Sequence, residues 1–278
     1  MTGRHALRGD GLVLSYGRST VVHGASLTLE AGRVTALVGP NGSGKSTLLR
    51  SLARLHRIDD GRATLGGRDG EPDRPVALLS ARRFAREVTL FTQSRPTPDG
   101  LAVGDVVAFG RHPYRRGFGG LSAADRRAIE HAMSVTGVRD MADRAAGELS
   151  GGEMQRVWLA ACLAQNTAVV LLDEPTNHLD LRYQIEILDL IRDLAEDHGV
   201  AVGVVLHDLD HAARIADTLL LLGDGRVRAA GGPAEVLTTA NLSDVYGIPV
   251  EVAEDPRTGR LRIDPVGRHP ARVRAASD

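Results

Sequence analysis

The stretch Gly39-Pro40-Asn41-Gly42-Ser43-Gly44-Lys45-Ser46-Thr47 decides the fold of this chain. It follows the pattern G-x-x-x-x-G-K-S, in which a flexible backbone wraps around a phosphate group. The residues before it, Val34 to Val38, are mostly apolar and β-branched, which predicts a buried strand. Leucines at helical spacing come after it and predict a helix over residues 46–55. This order of strand, loop and helix suits a phosphate site, because the helix N-terminus contributes its positive dipole end.

Lys45 is the only lysine among the 34 basic residues of the chain, and all the others are arginines. An ammonium group is a compact point charge that the planar guanidinium of arginine does not replace at a crowded phosphate. We expect Lys45 to reach the terminal phosphates of a nucleotide and the hydroxyl group of Ser46 to hold a magnesium ion. The alternative, an incidental glycine-rich turn, does not account for the agreement between the motif and its flanking elements. The sequence therefore predicts a nucleotide-binding protein.

The composition is that of an ordinary globular protein, with 42% hydrophobic and 25% charged residues over 278 positions. The net charge of −1 gives no general attraction to nucleic acid. A single cysteine, Cys162, excludes a disulfide within the chain and favours a reducing compartment. The first residues include no apolar stretch that would predict a secretory signal, and no run approaches about 18 apolar residues, so we expect any membrane association to come through a partner.

Strand and helix patterns alternate along most of the chain, which predicts an α/β fold with a mainly parallel core sheet covered on both faces. Two strands before the loop, at residues 12–16 and 25–29, are expected to belong to an antiparallel β subdomain. Helical patterns dominate the middle of the chain and predict an inserted helical subdomain. The expected division is a single domain of residues 1–266, with a core at 1–93 and 167–266, a helical insertion at 94–166, and a frayed tail at 267–278.

A second glycine motif, Leu149-Ser150-Gly151-Gly152-Glu153, stands before a predicted helix. A serine hydroxyl and glycine amides at a helix start form another anion cradle, although by themselves they fit an ordinary helix cap equally well. With both motifs in one chain, the sequence resembles the ABC ATPases, a class of P-loop NTPases whose signature is L-S-G-G-Q. The resemblance implies that Ser150 to Glu153 close over the γ-phosphate bound by a second subunit, in a head-to-tail homodimer. Glu153 departs from the usual glutamine, and a carboxylate near a γ-phosphate is unfavourable unless its side chain points away.

An acidic pair, Asp173-Glu174, ends the apolar run of residues 169–172, which predicts a strand. A carboxylate at a strand end suits magnesium opposite Ser46. By resemblance Asp173 is the metal-binding residue, and Glu174 is the base that polarises the attacking water.

Four further residues fall where the ABC family places functional side chains. Tyr16 would stack on adenine, although packing within a strand is its alternative role. Gln93 matches the residue that touches magnesium and senses the membrane partner. Asp180 matches the loop at the dimer seam, and His207 matches the switch histidine that hydrogen-bonds the γ-phosphate.

Within the family, the chain is most similar to the ATPases of ferric-siderophore importers, such as those for ferric enterobactin, a branch that also serves haem and cobalamin. Gly110 to Tyr114 carries part of this resemblance, although a simple turn after a helix would read the same way. Further matches are Leu163-Ala164-Gln165, Leu206-His207-Asp208-Leu209, Tyr246 to Val250, Asp255-Pro256 and Gly259.

The resemblance implies an ATP-binding subunit that hydrolyses ATP with magnesium to drive uptake of an iron–siderophore complex. Such a subunit lies on the cytoplasmic face of the membrane, beneath two permease subunits that a substrate-binding protein supplies. A haem or cobalamin importer, or an exporter, is an alternative of the same class. A soluble ABC ATPase acting on nucleic acid or the ribosome is the rival, but such proteins usually carry tandem ATPase units, long coiled-coil insertions or zinc modules. A small-molecule kinase would lack the signature, and no nucleic-acid partner is expected.

Overall fold

Three sheets organise the computed structural model, which describes residues 5–67, 72–92, 98–115, 120–177 and 179–267. Two of them carry the fold: a six-stranded, mainly parallel sheet and a four-stranded antiparallel sheet. The predicted α/β class with a mainly parallel core sheet and an antiparallel β region is therefore confirmed. The strands are β1 His5–Tyr16, β2 Ser19–Glu30, β3 Val34–Val38, β4 Asp60–Leu65, β5 Arg74–Pro75, β6 Val88–Thr92, β7 Val169–Asp173, β8 Ala201–Val205, β9 Thr218–Gly223, β10 Arg226–Gly231, β11 Val250–Glu254 and β12 Leu261–Pro265.

Helices cover the six-stranded sheet and form a separate group in the middle of the chain. They are α1 Lys45–Leu52, α2 Ala81–Phe84, α3 Val103–Ala108, α4 Ala123–Val135, α5 Gly151–Ala164, α6 Leu181–Glu196, α7 Leu209–Ile215, α8 Pro233–Val236 and α9 Thr239–Tyr246. Helix α1 ends before the predicted residue 55 because Arg54 adopts a positive φ of 61°, which an α-helix does not accommodate.

The six-stranded sheet has the order β10-β9-β3-β8-β7-β6, and only β10 runs antiparallel to its neighbour. Every residue of β3, β7 and β8 is buried, as expected for parallel strands covered on both faces. Val205 lies opposite Leu37 on one side and Asp173 on the other. The carboxyl ends of β3, β8 and β7 therefore lie side by side, which is where ligands bind in sheets of this kind.

The antiparallel sheet has the order β2-β1-β4-β5. Strands β1 and β2 are longer than the predicted segments at residues 12–16 and 25–29, because their outer halves alternate buried and exposed positions instead of forming apolar runs. Strand β4 lies inside this sheet, where it pairs with β1 on one side and β5 on the other.

Two apolar cores lie on opposite faces of the six-stranded sheet. Helix α1 places its leucines between this sheet and the antiparallel sheet. Helices α6 and α7 cover the other face. Helices α3, α4 and α5 pack around a third core of their own, within the region predicted to be a helical insertion. The hairpin of β11 and β12 follows α9, and residues 268–278 of the predicted tail lie outside the described residues.

The segment Phe109–Tyr114 is a 3-10 helix that locks α3 against α4 and α5. A Cβ atom on Gly110 would lie 2.0 Å from the carbonyl oxygen of Ala161, so only glycine permits this close approach. Arg111 is buried, and its Nε donates to Oδ1 of Asp125 at 2.8 Å while its Nη1 donates to the carbonyl of Ala164 at 2.8 Å. Hydrogen bonds from Ser122 and Arg111 lower the pKa of Asp125 to about 2. We call the segment Phe109–Tyr114 the clamp, because its buried Arg111 contacts both α4 and α5.

We expect Arg111→Met to lower the free energy of unfolding by about 3–5 kcal/mol, because it leaves the Asp125 carboxylate buried without its partner. Urea denaturation followed by circular dichroism measures this change. The matched control is Arg139→Met, which removes an exposed pair with Glu130 and should cost less than about 1 kcal/mol. Equal losses in the two variants would contradict the clamp.

Candidate active site

The loop between β3 and α1 is shaped by glycines that no other residue could replace without displacing its neighbours. A Cβ on Gly39 would lie 2.0 Å from the carbonyl oxygen of Leu222, and Gly39 has a φ of 139°. A Cβ on Gly44 would lie 2.9 Å from the carbonyl oxygen of Val21. Gly44 is the N-cap of α1, and no side chain of the described residues caps it. The first N–H groups of α1 are thus available to an anion.

Lys45 is buried at the start of α1 and closes the loop on itself. Its Nζ donates to the carbonyl oxygens of Gly39 and Pro40, both at 2.8 Å. Burial lowers the pKa of Lys45, and the charges of Glu174 and Asp173 oppose that shift. The ammonium group is therefore held in position beside two carboxylates before any ligand binds.

One cavity of about 270 Å³ brings together side chains from distant parts of the sequence. Its walls come from the loop and from the ends of β1, β7 and β8. Of the residues predicted to form the site, it contains Tyr16, Asn41, Gly42, Gly44, Lys45, Ser46, Thr47, Glu174 and His207. Gly39, Pro40 and Ser43 lie in the same loop, and Ser43 is buried.

Asp173 ends β7 and is only 2% exposed. Its Oδ2 accepts hydrogen bonds from Nε and Nη2 of Arg50, at 3.0 and 2.8 Å. Its Oδ1 is also buried and has no hydrogen-bond partner among the described residues. The sequence analysis did not identify Arg50, although its position one helical turn after Ser46 on α1 could have indicated it.

Glu174 has a φ of 56°, a strained backbone conformation for a residue other than glycine. Its Oε1 lies 2.6 Å from Nε2 of His207. His207 comes two residues after the end of β8. Its Oε2 accepts a hydrogen bond from Nδ2 of Asn177 at 2.6 Å. The predicted base and the predicted switch histidine are therefore in direct contact, and Asn177 is a partner that the sequence analysis missed.

The oxygen atoms of Asp173 and Ser46 fit a magnesium ion better than a metal that prefers nitrogen or sulfur. The unpartnered Oδ1 of Asp173 and the half-buried hydroxyl group of Ser46 are hard oxygen donors. No group of three His, Cys, Asp or Glu side chains in the described part of the chain could hold a metal alone. Magnesium accepts such a sparse set, because it usually takes its other ligands from water and phosphates.

The sequence pattern of the family described as ABC transporter matches residues 22–177, more than half of the chain. The chain belongs to the ABC transporter family. A probable siderophore transport system ATP-binding protein of Bacillus subtilis is 41% identical, over 96% of this chain and 94% of the relative. The ferric enterobactin transport ATP-binding protein of Escherichia coli is 40% identical, over 94% of each chain. These matches confirm the predicted resemblance and identify ATP as the nucleotide of this family.

A solved structure supports the same assignment. A metal-chelate type ABC transporter in an inward-facing conformation gives a TM-score of 0.81 at 26% identity, covering 95% of this chain and 98% of that chain. The fold is therefore that of an ABC ATPase, a P-loop NTPase. In the ranges that the structure describes, no helix has the length and apolarity that a membrane span requires.

The ABC signature caps α5 instead of entering the cavity of its own chain. The hydroxyl group of Ser150 accepts a hydrogen bond from the N–H of Glu153 at 3.3 Å, and Oε2 of Glu153 accepts one from the N–H of Ser150 at 2.8 Å. Hydrogen bonds of its carboxylate with the backbone and the side chain of Ser150 lower the pKa of Glu153, and Arg144 acts in the same direction. Glutamate and glutamine can both accept the hydrogen bond of this reciprocal cap. The charge of Glu153 therefore lies at the N-terminus of its own helix. Gly151 and Gly152 form the first turn of α5.

Two predicted residues remain, Asp180 and Gln93, and only Asp180 is among the described residues. Asp180 is the exposed N-cap of α6, and its Oδ1 accepts a hydrogen bond from the N–H of Tyr183 at 3.1 Å. Gln93 lies outside the described residues. Tyr16 is exposed at the end of β1, with its ring 4.6 Å from that of His56, and it contributes an aromatic side chain to the lining of the cavity.

We expect Lys45→Ala to abolish most of the affinity for ATP, because the chain has no other lysine to take its place. Titration with a fluorescent ATP analogue measures the affinity. Arg57→Ala, which removes an exposed charge beyond α1, is the control and should bind normally. Unchanged binding by Lys45→Ala would contradict the assignment of the loop.

Proposed function

We propose that this chain is the ATP-binding subunit of an importer, and that it hydrolyses ATP to drive uptake of an iron–siderophore complex through a separate permease. The observation that supports this most strongly is the meeting of Lys45, Glu174 and His207 in one cavity of a chain whose relatives are named for siderophore transport. Those relatives are transport proteins, so nothing favours the rival role on nucleic acid or the ribosome. Haem or cobalamin as cargo remains an outcome of the test below.

In the proposed mechanism, residues of the loop and residues at the ends of three strands have separate roles in binding ATP and magnesium. Lys45 and the N–H groups of α1 bind the terminal phosphates, and Tyr16 stacks on the adenine. Ser46 and Asp173 hold magnesium, which neutralises charge on the phosphates when bound. Gln93 is proposed as a further contact to magnesium and to the permease.

Glu174 is the proposed general base for the attacking water. Both of its carboxylate oxygens are engaged, one with His207 and one with Asn177. The γ-phosphate supplies a competing partner for His207, and loosening of that contact would open one side of the carboxylate to the attacking water. ATP binding would therefore release the base as it fills the cavity.

A second copy of the chain is needed to complete this site. Ser150 and its neighbours are exposed or half-buried on α5 and are absent from the described lining of their own chain's cavity. Leu181, next to Asp180, is 72% exposed, which suits a contact across a dimer seam. We infer a head-to-tail homodimer in which the signature of each copy caps the ATP of the other.

Two permease subunits are the proposed membrane partners, with a substrate-binding protein acting on them from outside. A cleft of about 300 Å³ lies between the core and the helices that we propose as the subdomain of residues 94–166. Leu55 is 67% exposed and Phe109 is 51% exposed at this cleft, with Phe84 in its wall. Exposed apolar side chains around a concave surface suit a short permease segment. This contact would hold the chain on the cytoplasmic face of the membrane.

We expect Glu174→Gln to bind ATP without hydrolysing it and to accumulate as a closed dimer, because the amide cannot accept the proton from water. Gel filtration with ATP and magnesium measures the dimer, and the wild-type chain with ADP is the control. Monomer alone in every condition would contradict the composite site.

The same variant tests the transport assignment in cells where it replaces the native chain. Uptake of iron-labelled siderophore, haem and cobalamin is measured in parallel, and we expect loss of siderophore uptake alone. Loss of haem or cobalamin uptake instead would reassign the cargo. Normal uptake of all three, after other ATPases of this branch have been deleted, would overturn the importer role and leave the ATPase.

We expect Leu55→Glu to abolish copurification with the permease while ATP binding stays unchanged, because it places a charge in the apolar cleft. Affinity purification from solubilised membranes measures this. Ile248→Glu, on an exposed apolar residue after α9, is the matched control and should copurify normally. Copurification by both variants would place the permease elsewhere.

A further inference from the structure

Arg50 lies on the face of α1 that points toward the proposed metal position. It follows Ser46 by four residues, so the two side chains share one face of the helix, one turn apart. Asp173 reaches this face from the end of β7 and contacts Arg50 with one carboxylate oxygen. The carboxylate therefore pairs with the guanidinium group one helical turn below the hydroxyl group proposed as a metal ligand.

Arg50 contacts only one of the two carboxylate oxygens of Asp173, and this determines which oxygen is available to a metal ion. Arginine commonly holds a carboxylate with two parallel hydrogen bonds, one to each oxygen. Here both Nε and Nη2 donate to Oδ2, and Oδ1 has no hydrogen-bond partner among the described residues. The guanidinium group thus fixes the orientation of the carboxylate while leaving one oxygen free.

Asp173 needs a cation beside it before any metal arrives. A buried carboxylate is costly unless it is paired, and Asp173 is 2% exposed. Among the described residues, Lys45 is a second cation within electrostatic reach of Asp173, and its ammonium group already donates to two loop carbonyls. Without Arg50, Oδ2 would lose both of its hydrogen-bond donors, and the carboxylate would be able to rotate away from the metal position.

We infer that Arg50 is a positioning residue for Asp173, and that by holding Oδ2 it sets how much magnesium strengthens ATP binding. The inference rests on the proposed function, because it takes the cavity to be the Mg-ATP site. Arg50 is absent from the described lining of the cavity, so we assign it no part in holding the phosphates. Its removal should therefore affect the magnesium-dependent part of the affinity and leave the magnesium-free part nearly unchanged.

The test compares dissociation constants for a fluorescent ATP analogue in EDTA and in excess magnesium. For Arg50→Gln we expect the gain from magnesium to fall by about tenfold, the usual effect of removing a group that orients a metal ligand. Arg50→Lys should lose part of the gain, because one ammonium group does not reproduce two N–H donors in a fixed plane. Arg57→Gln, at an exposed arginine beyond α1, is the control and should keep the full gain.

Three results would overturn the inference. Equal weakening with and without magnesium would mean that Arg50 only stabilises the fold, and an unchanged or larger gain would mean that it does not orient Asp173. If Arg50→Gln does not fold by circular dichroism, Arg50→Lys decides, and a full gain in that variant overturns the inference. Absence of nucleotide binding by the wild-type chain would instead overturn the proposed function, and the inference with it.

Discussion

The parallel alignment of β3, β8 and β7 is the constraint on which the site depends. Each strand is fully buried, so its register is set by packing on both faces. Because the strands run in the same direction, the side chains that follow their last residues meet at one edge of the sheet. The phosphate loop, the acidic pair at Asp173 and the histidine at 207 are brought together by this alignment and by no local feature of the chain.

Charge balance at this edge explains why so many polar groups are tolerated in a buried place. Two carboxylates, Asp173 and Glu174, face two cations, Lys45 and Arg50, with His207 against Glu174. Each buried charge has an opposite neighbour, which offsets the cost of removing it from water. The same pairing leaves selected atoms free for a ligand, as Oδ1 of Asp173 illustrates.

Close backbone approaches fix the parts of the site relative to one another. The loop passes so near β9 that Gly39 has no room for a side chain, and Gly110 is pressed in the same way against α5. The buried pair of Arg111 and Asp125 then joins α4 to the segment after α3. The signature at the start of α5 is therefore carried by a closely packed group of helices, which suits its proposed capping of a neighbour's ATP.

The sequence predicted the phosphate loop and the class of fold, because these depend on short motifs and on periodic apolar patterns, and it named most of the residues that line the cavity. It also predicted β3 correctly, since a fully buried strand appears as an unbroken apolar run. It did not reveal the full length of β1 and β2, whose half-exposed alternation is interrupted by glycines.

Contacts between residues far apart in the chain follow from the packing of strands and helices. Arg50 and Asp173 are separated by 123 positions, and no pattern in the sequence connects them. The orientation of the Glu153 carboxylate follows from the hydrogen bond that it accepts at the start of its own helix. A sequence motif does not distinguish this orientation from one that faces the phosphate. Motifs record which groups a site needs, whereas pairing, burial and free lone pairs depend on how the strands and helices pack.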